Sequence, residues 1–365
     1  MPKNVFDAVA EEKGVFRNED VLSPDFLPQE LPGRERQEEE IARLLKASAI
    51  GKAPSNIFVF GPTGTGKTST CKKVARQLQE YSEKAVVLYV NCWQNNTRQG
   101  VLVALNEACG DAMPRRGVSS EEIFRRSLEV FGKAKRVPIV VLDEADKLFF
   151  NGEEEVLYDL SRSHEAYGVP IGVVLITNDE ELCAKADARI RSSLAATAVA
   201  FPAYSPQELK KIVAQRAAVA FVAGACGEEV IALCAAHAAK SGGDARIALQ
   251  CLYKAGRNCQ KRGGSILSVQ DVKDAFTNTA SSVEMKGERD EKELSKGAAQ
   301  ALEHLKKYKE EVAVGDFYRA FERESGWSER SARNFVQELV FRKIAEIDEI
   351  KQGDARGRTI RLSRY

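Results

Sequence analysis

The segment that most constrains this chain is a short apolar run followed by a glycine-rich loop and a helix-favouring stretch. It reads Ile57-Phe58-Val59-Phe60-Gly61-Pro62-Thr63-Gly64-Thr65-Gly66-Lys67-Thr68 and fits the pattern G-x-x-x-x-G-K-[ST]. The glycines allow backbone N–H groups to turn toward phosphate oxygens, and the helix N-terminus adds positive potential. Lys67 would reach the β- and γ-phosphates, and the Thr68 hydroxyl would ligate Mg²⁺. The predicted nucleotide-binding residues are Gly61, Pro62, Thr63, Gly64, Thr65, Gly66, Lys67, Thr68 and Ser69.

Further apolar runs predict a parallel β-sheet around this loop. They cover Ala85–Asn91, Val137–Leu142, Ile171–Ile176 and Ala198–Phe201, and they alternate with helical patterns. Ligands of such α/β sheets bind at the carboxyl ends of the strands. The sequence therefore predicts an α/β fold, in which polar residues at the strand ends converge on the glycine-rich loop.

Three such polar residues have predicted catalytic tasks. Asp143 closes an apolar strand and suits a hold on Mg²⁺. Glu144 follows it and is suited to orient and deprotonate an attacking water. Asn178, after the next strand, would hold that water against the γ-phosphate. With Lys67, these residues predict a Mg²⁺-dependent site that binds and hydrolyses a nucleoside triphosphate.

Composition excludes several classes of protein. The 365 residues are 44% hydrophobic and 29% charged, enough for two or three domains. No apolar run approaches the roughly 18 residues of a membrane span, and the N-terminus lacks a secretory apolar region. The first 25 residues are polar and mixed, which predicts loose structure. Eight cysteines without a C-x-x-C pair and three scattered histidines indicate reduced thiols rather than a zinc site.

Two helical regions flank the predicted catalytic strands. A long insertion between the second and third strands reads as two helices, about 97–108 and 120–131, with Arg115 and Arg116 between them. These arginines fit either a solvated surface or a DNA contact. Helices also fill the chain from Tyr204 to about Thr279. There, Arg246 follows a glycine pair at a helix start and would turn back toward the γ-phosphate.

The C-terminal part predicts a winged helix-turn-helix. Three helical patterns cover Ala298–Tyr308, Val314–Glu324 and Ser328–Lys343, and β-type runs cover Ile344–Ile350 and Thr359–Leu362. The third helix would turn Phe335, Val336, Leu339 and Val340 to the core. Because net charge is only +1, DNA affinity must come from local patches. The predicted DNA-contacting residues, besides the insertion pair, are Arg330, Arg333, Arg342, Arg356 and Arg358; winged helices also bind proteins, and that alternative stays open.

Together these motifs resemble archaeal replication initiators of the origin-recognition/cell-division-cycle type, which are AAA+ ATPases. The residues that carry the resemblance are Leu31–Glu35, Gly61–Thr68, Asp143–Asp146, Ile176–Asn178, Asp187–Leu194, Gly243–Arg246 and Gly357–Thr359. The resemblance implies that Asn178 is sensor 1, that Arg246 is sensor 2 on a lid domain, and that Arg34 lies near the nucleotide. It also implies that the insertion touches DNA. Clamp-loader relatives carry an arginine finger where this chain reads Ser192-Ser193-Leu194, so a role for Arg189 or Arg191 stays open.

The resemblance further implies an organisation and a function. The expected parts are a AAA+ domain at 1–203 with the insertion at about 97–135, a helical lid at 204–283, a linker at 284–296 and a winged helix at 297–365. The expected function is a cytoplasmic, nucleoid-associated initiator that binds double-stranded origin DNA, recruits the replicative helicase and uses slow ATP hydrolysis as a switch. Paralogous initiator subunits are further expected partners, and no membrane is. A winged-helix transcription regulator with a bound nucleotide and a clamp-loader-like AAA+ subunit are the alternatives.

Overall fold

A computed structural model describes most of the chain. The described residues up to Asn278 form one compact unit, and those from Thr279 onward form a second. The described residues are 14–111, 117–284, 294–308, 311–341, 344–352 and 355–362, with the backbone alone at 277–284, 341, 348–352 and 355–358. The predicted DNA contacts Arg115, Arg116 and Arg342 lie outside them.

The first unit is built on a five-stranded parallel sheet, as the sequence predicts. Its strands are β1 (Ile57–Phe60), β2 (Ala85–Asn91), β3 (Val137–Asp143), β4 (Gly172–Thr177) and β5 (Thr197–Ala200), in the order β2-β3-β4-β1-β5. The central strands β3 and β4 are buried along their whole length, which explains their continuous apolar sequence. The register pairs Asn91 with Asp143, and Phe60 with Thr177, so the carboxyl ends of these strands align at one edge.

Helices cover both faces of this sheet. They are α1 (Glu35–Leu45), α2 (Lys67–Tyr81), α3 (Arg98–Ala108), α4 (Ser120–Ala134), α5 (Asp146–Phe150), α6 (Glu155–Ser161), α7 (Ser163–Tyr167), α8 (Leu182–Lys185) and α9 (Ala188–Leu194). One apolar core includes Ile41 of α1 and Val74 of α2, and the opposite core includes Leu102 of α3 and Leu128 of α4. The predicted insertion helices are thus present, and the second extends three residues further than predicted.

Four helices form the predicted helical region after the sheet, and all of them but the end of the last, beyond Asn278, belong to the first unit. They are α10 (Pro206–Ala220), α11 (Glu228–Lys240), α12 (Ala245–Lys261) and α13 (Val269–Glu284). Ser205 and Glu208 form a capping box that starts α10. All eight cysteines are free thiols, and Cys234 and Cys251 lie in this core.

The N-terminal region corrects one prediction. The described residues 14–25 are ordered, and Val15, Val21 and Leu22 are buried in the core of the four-helix region. A 3-10 helix spans Glu19–Leu22, and the Arg17 N–H donates to the Ala220 carbonyl oxygen at 2.8 Å. Polar composition suggested loose structure because only a few apolar side chains anchor this segment, and their partners lie two hundred residues away.

The second unit has the element order of the predicted winged helix. It contains α14 (Lys296–Leu305), β6 (Val312–Ala313), α15 (Val314–Ser325), α16 (Glu329–Phe341), β7 (Ala345–Gln352) and β8 (Ala355–Leu362), with an antiparallel sheet in the order β6-β8-β7. On α16, Val336 and Leu339 are fully buried, and Phe335 and Val340 pack against the same core, as predicted. The strands are longer than predicted, because residues 351–352 and 355–358 pair as β-structure rather than forming an open loop.

The described stretches of the chain contain no candidate membrane-spanning helix. None of their helices combines the length and the apolar character that a bilayer crossing requires.

Candidate active site

A cavity of about 930 Å³ lies at the carboxyl edge of the parallel sheet. The loop between β1 and α2 forms its floor, the ends of β2, β3 and β4 form one wall, and α10 and α12 form another. Part of the N-terminal segment, including residues 22–28, also lines it. Its volume falls in the range of about 300–1,000 Å³ that is usual for small-molecule sites.

The loop backbone leaves no space for side chains at two of its glycines. At Gly61 an added Cβ would lie 2.1 Å from the Phe201 carbonyl oxygen, and at Gly64 it would lie 1.7 Å from Asp244 Oδ1. Both glycines have positive φ values, of 146° and 71°, which other residues rarely adopt. The Ala245 N–H also donates to the Gly64 carbonyl oxygen at 3.2 Å. The start of α12 is therefore packed directly on the loop.

Lys67 is held by the loop itself. Its Nζ donates to the carbonyl oxygens of Gly61 and Pro62, each at 2.7 Å, and to Asn178 Oδ1 at 2.8 Å. Burial lowers the pKa of Lys67 to about 8, against the raising effect of Glu144. The structure thus brings Lys67 and Asn178 together, as the sequence analysis expected of the two residues.

Thr68 and Asp143 also meet, across α2 and β3. The Thr68 hydroxyl donates to Asp143 Oδ2 at 2.9 Å, and Asp143 is 6% exposed. Tyr89 of β2 donates a second hydrogen bond to the same oxygen. A hydroxyl and a carboxylate at the cavity wall are oxygen donors of the kind that Mg²⁺ takes with few protein ligands. Thr68 and Asp143 therefore fit the predicted Mg²⁺ site.

Glu144 follows Asp143 into the cavity with an unusual backbone. Its φ is 56°, in the left-handed region, and its N–H donates to Asp143 Oδ1 at 3.1 Å. Strained backbone of this kind costs about 1–3 kcal/mol and concentrates at functional sites. Burial, followed by the nearby Asp146 and Asp143 carboxylates, raises the pKa of Glu144. A half-buried carboxylate beside the loop is suited to accept a proton from water.

Arg246 lies in the wall of the cavity formed by α12. Its N–H donates to Asp244 Oδ1 at 2.7 Å, where Asp244 caps the helix, and its side chain is exposed at the cavity. Arg246 and Lys67 both line the cavity, and the guanidinium adds to the burial that lowers the pKa of Lys67. Arg189 and Arg191 lie on α9, and neither lines the cavity.

Arg34 requires a correction, because it does not face the cavity. Its guanidinium donates to the carbonyl oxygens of Thr65 at 2.7 Å, Gly33 at 2.8 Å and Pro202 at 2.6 Å. It stacks 3.7 Å from the centre of the Tyr204 ring and is 2% exposed. Arg34 therefore supports the loop on the side away from the cavity. The resemblance placed Arg34 near the nucleotide but did not predict that it binds the loop backbone.

Several residues of the site were not predicted from the sequence. Tyr89 holds Asp143, Asp244 packs on Gly64, and Trp93 lines the cavity beside Glu144, with Lys147 Nζ 3.8 Å from the centre of its ring. Their contacts join segments that are far apart in the sequence. The alternation of side chains along β2 gave the only available signal, since Tyr89 and Asn91 share one face of the strand.

The candidate DNA-contacting residues whose backbone is described lie in the second unit. Arg330 and Arg333 are exposed on α16, as predicted; Arg333 donates to Glu329 Oε1 at 2.7 Å and lies 5.9 Å from the centre of the Tyr318 ring. The backbone of Arg356 and Arg358 lies in β8, and their side chains are outside the described part.

Comparisons with known proteins agree with this architecture. Residues 50–182 match the AAA domain, and residues 210–277 match the Cdc6 AAA+ ATPase-type lid domain. The ORC1-type DNA replication protein 1 of Archaeoglobus fulgidus is 39% identical over 277 residues, which cover 74% of this chain and 68% of that protein. The protein of the same name from Sulfurisphaera tokodaii is 37% identical over 263 residues; the match covers 72% of this chain and 66%, just under two thirds, of the relative.

A solved structure extends the likeness to nearly the whole chain. The Aeropyrum pernix ORC1 protein in complex with DNA superposes with a TM-score of 0.69 at 28% identity, covering 96% of this chain and 94% of that one. The resemblance to origin-recognition/cell-division-cycle type proteins is thereby confirmed. This chain belongs to the family of ORC1-type DNA replication proteins, with an AAA domain and a Cdc6-type lid.

Proposed function

We propose that the protein is a replication initiator that binds ATP and duplex origin DNA and uses slow ATP hydrolysis as a switch. The observation that carries the proposal is the convergence of a cation, a metal-binding pair and a half-buried carboxylate on one cavity. These are Lys67, Thr68 with Asp143, and Glu144. Family membership supplies the context of DNA replication.

ATP binding would exchange the internal partners of Lys67 for phosphate oxygens. The two carbonyl oxygens that hold Nζ belong to the loop, so a short movement of the side chain brings it over the bound phosphates. The loop N–H groups and the start of α2 would cradle the anion. Bound Mg²⁺ would neutralise phosphate charge, and Thr68 and Asp143 would hold it.

Hydrolysis needs a water placed and deprotonated beside the γ-phosphate. Glu144 would take the proton, and Asn178 would hold the water, because its amide already meets the cation that reaches the same phosphate. Arg246 would contact the γ-phosphate from the lid wall and so make closure of α12 depend on ATP rather than ADP. These roles support a nucleotide-dependent switch.

DNA binding would use the second unit and the insertion. Exposed Arg330 and Arg333 on α16 suit a helix in the major groove, and Arg356 and Arg358 on β8 suit backbone or minor-groove contacts. Arg342, Arg115 and Arg116 would add further positive charge. The replicative helicase and paralogous initiator subunits are the proposed protein partners, and the proposed location is the cytoplasmic nucleoid.

Chromatin pull-down followed by sequencing tests the proposal. An initiator should occupy one or a few origins, and a Glu144→Gln variant that keeps bound ATP should occupy the same sites. A transcription regulator would instead occupy many promoters. Absence of site-specific occupancy would refute origin binding, and a clamp-loader-like role would then be tested by association with the sliding clamp.

A further inference from the structure

We propose that Tyr89 is a positioning residue that orients Asp143 toward Mg²⁺ in the nucleotide-bound protein. The inference rests on the proposed ATP site and adds a residue that neither the loop motif nor the comparisons identify. It concerns the phenol hydroxyl of Tyr89 and one carboxylate oxygen of Asp143.

The Asp143 carboxylate has three hydrogen-bond donors, divided between its two oxygens. Oδ1 accepts from the Glu144 N–H, and Oδ2 accepts from both the Thr68 hydroxyl and the Tyr89 hydroxyl. The terminal torsion of an aspartate is broad, so its backbone alone does not fix the plane of the carboxylate. Hydrogen-bond partners must do so.

One of these partners has a second task when metal binds. Thr68 would present an oxygen lone pair to Mg²⁺ and so divide its hydroxyl between the metal and Oδ2, whereas Tyr89 has no predicted metal contact and donates to Oδ2 throughout. Tyr89 would then hold the carboxylate in the plane in which its free lone pairs face the metal. Outer partners of this kind typically change metal affinity by about 10- to 100-fold when removed.

The ring of Tyr89 is itself fixed. Tyr89 is paired with Val141, two residues before the Asn91–Asp143 pair, so its ring lies on the same sheet face as Asp143. Lys72 Nζ lies 4.5 Å from the ring centre, one helical turn after Thr68 on α2. The hydroxyl therefore reaches Asp143 from a ring held between the sheet and α2.

Tyr89→Phe tests the inference, because it keeps the ring and removes only the hydroxyl. Tyr81→Phe is the matched control, since Tyr81 is 82% exposed at the end of α2. Binding of Mn²⁺ to the ADP complex is followed by electron paramagnetic resonance, and ADP affinity is measured in EDTA. We expect Tyr89→Phe to weaken Mn²⁺ binding about tenfold while ADP affinity in EDTA stays within about twofold of the wild type.

Two results would overturn the inference. Wild-type Mn²⁺ affinity in Tyr89→Phe would show that the hydroxyl does not orient Asp143. An equal loss of ADP affinity with and without metal would show that Tyr89 only supports the fold. If the wild-type protein bound no metal–nucleotide complex at all, the proposed ATP site would be refuted, and the role inferred for Tyr89 would be refuted with it.

Discussion

Gly64→Ala tests two reasons why the phosphate-binding loop excludes a side chain at this position: a clash with Asp244 and a positive φ. The new Cβ would lie 1.7 Å from Asp244 Oδ1, a distance that forces Asp244 to move. Asp244 caps α12 by accepting from the Arg246 N–H at 2.7 Å, so its movement costs about 0.5–2 kcal/mol of helix capping. The φ of 71° at position 64 costs about 1–2 kcal/mol more for a residue with a Cβ. The expected loss of unfolding free energy is therefore about 1.5–4 kcal/mol.

A double-mutant cycle isolates the contact with Asp244. Asp244→Ala alone should cost about 1 kcal/mol, because the cap is lost. In the double variant the clash is gone and the cap is lost only once, so the two changes should cost about 1 kcal/mol less than the sum of the single changes. Urea unfolding monitored by circular dichroism measures all four proteins.

Gly61→Ala is the control for the cycle. Its Cβ would meet the Phe201 backbone carbonyl, which no side-chain truncation removes. Asp244→Ala should therefore leave the cost of Gly61→Ala unchanged. Additive costs for Gly64→Ala and Asp244→Ala would refute the packing of the α12 cap on the loop. Equal rescue of Gly61→Ala would refute the specificity of the argument.

Four further predictions concern the chemistry and the DNA surface. Lys67→Ala should weaken ATP binding by at least tenfold in calorimetry, because a charged donor to the phosphates is lost; tight binding would contradict the loop assignment. Glu144→Gln should keep ATP affinity but lower single-turnover hydrolysis about 10²- to 10⁴-fold, and unchanged turnover would exclude the base role. Arg246→Ala should slow hydrolysis and leave ADP affinity within about twofold, whereas equal loss of ADP and ATP affinity would indicate a structural role. Arg330→Ala should weaken binding to all duplexes and reduce the slope of log affinity against log salt by about one. The Arg333 guanidinium must first leave Glu329, and if it reads a base, Arg333→Ala should cost roughly 1–3 kcal/mol of binding free energy at one base position. Titrations of origin and random duplex across a salt series check both.

The catalytic core could be predicted because its information is local. The loop motif locates Lys67 and Thr68 within twelve residues. Asp143 follows one apolar run directly, and Asn178 lies two residues after the end of another. Parallel strands align their carboxyl ends, so local patterns were sufficient to bring these side chains together. The assignment of Thr68 and Asp143 to one Mg²⁺ site rests on the same geometry, whereas the strand order leaves no local sequence pattern and was not predicted.

Contacts between distant segments could not be predicted in the same way. The packing of Asp244 on Gly64 joins positions 180 residues apart. It excludes a side chain at Gly64 because an added Cβ would lie 1.7 Å from Asp244 Oδ1. Tyr89 looked like one more apolar residue of a buried strand. Its hydroxyl acquires a partner only once β2 and β3 are set in register.

Arg34 illustrates why proximity to a ligand does not define a binding residue. An arginine near a nucleotide suggests a phosphate contact, because its fork suits anions. Here the guanidinium donates to three backbone carbonyl oxygens and stacks on the Tyr204 ring, and the side chain is buried. The Thr65 carbonyl belongs to the loop and the Pro202 carbonyl to the segment after β5, so the cation ties these two segments together. Lysine could not repeat this arrangement, since a single ammonium on a flexible stem lacks the planar fork that reaches three acceptors while stacking on an aromatic ring. The charge at position 34 therefore supports the shape of the loop.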